Sequence, residues 1–82
     1  MDSKIIELLT ILQEECAEVT VEASKIKRFG MQPDNLDRLK KELGDLYCMI
    51  ELCEQYELTT KEELKTQSLS KRDKLKIYSN IL

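Results

Sequence analysis

The chain has 82 residues, of which 13 are Lys or Arg, 16 are Asp or Glu and none is His, for a formal net charge of −3. Hydrophobic residues at 41%, charged residues at 35%, two glycines and one proline exclude a disordered or all-β chain and point to a single all-α domain spanning 1–82. A negative balance excludes a nucleic-acid binder that tracks the phosphate backbone, and a domain this short buries only about 60 to 65% of its unfolded surface, so self-association is expected.

Residues 4 to about 28 read as one long helix, because Ile5, Leu8, Leu9, Leu12, Cys16, Val19, Ala23 and Ile26 recur at spacings of three and four. Gly30 is placed to cap its C-terminus, and Pro33 blocks continuation. Asp34 or Asn35 is the expected N-cap of a second helix, from about 35 to 57, whose stripe is Leu36, Leu39, Leu43, Leu46, Ile50 and Cys53. The short connection makes the two helices antiparallel neighbours. Thr59 with Glu62, and Thr60 with Glu63, suit a capping box that starts a short third helix, and Ser70 with Asp73 suits the start of another. The predicted architecture is thus two long antiparallel helices plus one or two short C-terminal ones. The apolar arc of the second helix is wider than one neighbour requires, which predicts a two-fold dimer closing as a four-helix bundle.

The longest uncharged apolar stretches, 8–13 and 46–50, fall far short of the roughly 18 residues that cross a bilayer. Asp2 and Glu7 do not suit a signal peptide, and no membrane partner is expected. Cys16, Cys48 and Cys53 are odd in number and lack zinc-ribbon spacing, so they read as small buried apolar residues of a cytoplasmic protein.

The carboxylates carry the chemistry. At about 100° per residue, Glu15 lies within the apolar arc of the first helix, with Glu22 about 20° and Glu18 about 60° to one side. On the second helix Glu42 is flanked by Met49, Cys53 and Leu46, and Asp45 lies about 60° away between Leu52 and Tyr56. Inward-facing carboxylates of like charge require a cationic neutraliser, and with no histidine and few inward-facing bases, a divalent metal, Mg²⁺ or alternatively Mn²⁺, is the expected one. The competing reading is a pair of amphipathic helices with ordinary edge salt bridges, for instance Arg38 with Glu42 one turn on.

Three strings, Leu12-Gln13-Glu14-Glu15-Cys16-Ala17-Glu18-Val19, Ser24-Lys25-Ile26-Lys27-Arg28-Phe29-Gly30 and Leu39-Lys40-Lys41-Glu42-Leu43-Gly44-Asp45-Leu46, resemble the MazG-like nucleoside triphosphate pyrophosphohydrolases. The resemblance covers about residues 5 to 57, with 23 residues between the E-x-x-E and E-x-x-D motifs. It implies that Glu15, Glu18, Glu42 and Asp45 hold Mg²⁺ and that a nucleoside triphosphate is hydrolysed to the monophosphate and pyrophosphate, with Glu15 or Glu18 as the catalytic base. It also implies that basic and polar residues, here Lys71, Lys74 and Tyr78, or alternatively Lys25 and Arg28, meet the triphosphate. A homodimer or dimer of dimers is the assembly expected from the wide apolar arc of the second helix. Related activities on phosphoribosyl-ATP or alarmone nucleotides, and a non-catalytic nucleotide-binding helical dimer, are the alternatives.

Overall fold

The computed structural model describes all 82 residues, which form three α-helices, 83% of the chain, and no strand. These are α1 (Ser3–Phe29), α2 (Pro33–Gln55) and α3 (Lys61–Tyr78). Asp2 starts α1, its carboxylate accepting a hydrogen bond from the Lys4 amide at 2.7 Å. Gly30 stops it: at φ 91° and ψ 169° it takes a backbone conformation that L side chains rarely adopt, while its amide still donates to the Ile26 carbonyl at 2.8 Å.

Helix α2 begins two residues earlier than the capping chemistry of Asp34 and Asn35 suggests. Pro33 occupies its first position, where a missing N–H costs nothing, and Gln32 is the N-cap with no side-chain bond to the helix. Asn35 is instead inside the helix and buried, its side-chain amide donating to the Gly30 carbonyl at 3.1 Å. At the far end Leu58 donates to the Cys53 carbonyl and Glu57 to the Glu54 carbonyl, a Schellman pattern that holds Glu57 at φ 61°.

Thr60 caps α3 by accepting from the Glu63 amide at 3.1 Å, which selects one of the two predicted capping boxes. The second predicted start, at Ser70, is not used. No Gly or Pro interrupts 61–78, so the helix runs through Ser70 as one 18-residue element.

The three residues between α1 and α2 double the chain back, and these two helices pack along each other, whereas α3 packs on neither to a comparable extent. Of the apolar side chains only Leu8 and Met49 are buried. The principal extents are 41 × 30 × 16 Å. Cys16 and Cys48 are consequently exposed and Cys53 is half-buried, because the face on which the sequence pattern buries them has no neighbour within one chain.

Candidate metal centre

Acidic side chains three residues apart share one helix face, so α1 presents Glu15 and Glu18 together and α2 presents Glu42 and Asp45 together. The hairpin brings the two pairs face to face, and one carboxylate oxygen from each of the four lies within 4.8 Å of all the others. Glu15, Glu42 and Asp45 are half-buried and Glu18 is exposed, so the cluster sits in the wall of the hairpin and opens to solvent at one edge.

Two oxygens on the inner side, Glu15 Oε2 and Glu42 Oε2, are buried with no hydrogen-bond partner. Buried polar atoms are ordinarily satisfied, and an unpaired anionic oxygen is the costliest kind to leave. The protein answers the crowding in part with a proton. Glu18 stands against Glu42 and feels the negative charges of Glu42 and Glu15, which together with partial desolvation push its pKa from 4.5 up to about 7 against the opposing pull of Lys41. It answers also with an ammonium. Lys41 Nζ stands 2.9 Å from Asp45 Oδ2 and 3.3 Å from Glu42 Oε1, and those carboxylates raise its own pKa above the usual lysine value.

The donor set fits a hard divalent cation. All four donors are carboxylate oxygens, with no nitrogen or sulfur, which suits Mg²⁺ or Mn²⁺. Oxygens on opposite sides of a Mg²⁺ ion are about 4.2 Å apart, so a spread of up to 4.8 Å is that of one coordination sphere with little contraction needed.

Glu22 shares the strip on the helical wheel but not the cluster. It is buried and paired with Arg38 across the hairpin at 3.3 Å and with Lys25 at 3.5 Å, while Arg38 also donates to the Asn35 carboxamide oxygen. The expected Arg38–Glu42 pair is replaced by this cross-helix one, because the antiparallel packing puts Glu22 opposite Arg38 just as it puts Glu18 beside Glu42. Sequence periodicity reports neighbours on one helix, and this partnership spans two.

The predicted phosphate-binding residues are not gathered around the acids. Lys25 is engaged by Glu22, and the Arg28 guanidinium lies 5.0 Å from the centroid of the exposed Phe29 ring. Lys71, Lys74 and Tyr78 are exposed on α3, which makes only a slight contact with the hairpin.

Compared with protein-family models, curated proteins and solved structures, the chain matches none. Its geometry therefore carries the functional reading. No helix is long and apolar enough to cross a membrane.

Proposed function

We propose that this chain is a Mg²⁺-dependent nucleoside triphosphate pyrophosphohydrolase that converts an NTP or dNTP to the monophosphate and pyrophosphate. The observation that supports it is the convergence of Glu15, Glu18, Glu42 and Asp45 from two helices on one focus, with two of their oxygens buried and unpartnered. Glu42 and Asp45 from α2, with Glu15 and Glu18 from α1, would hold the ion. When bound, Mg²⁺ supplies charge neutralisation on the phosphate oxygens and Lewis-acid activation for in-line displacement.

The chain's own residues supply the rest. Four carboxylates repel a triphosphate, so the reading makes metal and substrate binding interdependent. Of the two α1 glutamates, Glu18 is the better base, since it is exposed to an attacking water and its neighbouring carboxylates raise its pKa to about 7. Glu15, whose Oε2 is buried without a hydrogen-bond partner, is the better ligand. A groove of about 320 Å³ lies one turn beyond Glu15 on α1 and one turn beyond Asp45 on α2; Leu8, Ile11, Met49, Leu52 and Tyr56 offer the nucleoside an apolar wall, and Lys4 and Glu7 complete its lining.

A second copy of the chain belongs to the same reading. Pairing of two hairpins would cover the open face of α1 and α2, and α3 of either copy would then bring Lys71, Lys74 and Tyr78 toward acids that touch no cation of their own chain apart from Lys41.

The test is Mg²⁺-dependent release of pyrophosphate from a panel of NTPs and dNTPs. Glu42→Ala and Asp45→Ala are each expected to lower turnover at least about a hundredfold, since even outer-shell changes at metal sites cost 10- to 100-fold. Turnover undiminished in both variants would remove the proposed site.

A further inference from the structure

The reach of Lys41 into the cluster has a chemical purpose that a surface ion pair does not explain. Its side chain is largely exposed, yet the ammonium contacts two of the four carboxylates at once, while Lys40 beside it makes no ion pair. The contact divides Glu42: Oε1 faces Lys41, and Oε2 is the buried oxygen without a partner. Within one chain Lys41 is therefore the only cation touching the four acids.

We propose that Lys41 is a resident counter-ion of this centre, its ammonium closing the carboxylate cluster before a divalent cation enters and leaving it afterwards to bind a phosphate of the substrate. The proposal rests on the metal-binding reading above. Asp45 and Glu42 cannot serve both partners fully, because the ammonium and a divalent ion draw on the same two carboxylates from a few ångströms apart and repel each other. Release is unhindered, since the side chain is two-thirds exposed and carries a flexible four-carbon stem. Once released, it is a point charge at the rim of the site, where a polyphosphate bound to the same ion must pass.

Mn²⁺ titration by calorimetry without nucleotide tests the first half, using the full chain and Lys41→Met, Lys41→Arg, Lys40→Met and Glu42→Gln. Lys41→Met is expected to bind Mn²⁺ about fivefold more tightly than wild type, the gain from losing a competing partly exposed pair. Lys41→Arg should stay near wild type, and Lys40→Met, which removes the same charge without the contact, should change affinity less than about twofold. Inorganic triphosphate titrated into the Mn²⁺-loaded proteins tests the second half: Lys41→Met should bind it about tenfold more weakly and Lys40→Met should not. If wild type binds Mn²⁺ and Glu42→Gln does not, but Lys41→Met matches wild type or is weaker, Lys41 is a bystander and the metal site stands. Tighter Mn²⁺ binding with unchanged triphosphate affinity overturns the phosphate role. Absence of Mn²⁺ binding in every protein defeats the metal site and this proposal together.

Discussion

Glu18 registers the crowding of four carboxylates most directly. Its raised pKa, from 4.5 to about 7, means that without metal the folded chain holds a proton that the unfolded chain releases. The sign follows from linkage: the contribution to stability is full below about 4.5, falls as pH rises toward about 7, and is constant above it. The groups facing it are Glu15, Glu42, Asp45 and Lys41. In EDTA, the thermal midpoint should therefore fall between about pH 5 and pH 8. Glu18→Gln should flatten that slope, because an amide donates to Glu42 at every pH, and saturating Mg²⁺ should flatten it by displacing the proton. A wild-type slope unchanged by Glu18→Gln would show that the proton is held elsewhere. This quartet was readable from the sequence because each pair is local, three residues apart on a helix, and the hairpin had only to bring two such pairs together. The roles of Lys41 and Glu22 were not readable in the same way. Lys41 follows Lys40 in a run of charge that reads as a solvated face, and nothing in the spacing says which of the two lysines folds onto Asp45.

Helix α1 is joined to α2 near the turn by a polar chain rather than an apolar one: Lys25 and Arg38 meet at Glu22, Arg38 meets Asn35, and Asn35 meets the Gly30 carbonyl. This fixes the rotation of each helix one turn from the acids, so the register of the carboxylate pairs depends on it. Arg38→Ala is expected to destabilise the fold by about 1–2 kcal/mol, through the lost hydrogen bond and the buried Glu22 left with Lys25 alone. In a urea-unfolding cycle with Glu22→Ala, a coupling of about 1 kcal/mol is expected, and additivity within about 0.3 kcal/mol would show that the two do not act together. Helix existence was legible from periodicity in α1 and α2, and the stop at Gly30 from its glycine. Boundaries governed by competing chemistry were not: Pro33 prevailed over the capping side chains of Asp34 and Asn35, and Ser70 had the residues of a cap without any break in the chain before it.

The single chain is open for its mass. A compact 9.6 kDa monomer exposes about 5,100 Å², whereas this chain exposes 6723 Å², an excess of about 1,600 Å². Its radius of gyration is 15.1 Å against about 12 Å for a compact domain of this length. Val21, Leu43 and Tyr47 are exposed on the hairpin, and Leu69 and Ile77 on α3. An excess of this size matches what each partner buries in a large, apolar dimer interface, and the wide stripe of α2 is where a second hairpin would lie to complete four helices. Light scattering should therefore give about twice the 9.6 kDa chain mass at micromolar concentration. The thermal midpoint should rise with protein concentration, as it does when folding and association are one equilibrium. Tyr47→Glu, which puts a charge on the exposed stripe without touching Leu8, Met49 or the acids, should shift the population toward monomer and lower the midpoint. A wild-type chain that scatters as a monomer, with a sharp midpoint independent of concentration, would mean that two buried apolar residues suffice, and the bundle would have to be abandoned.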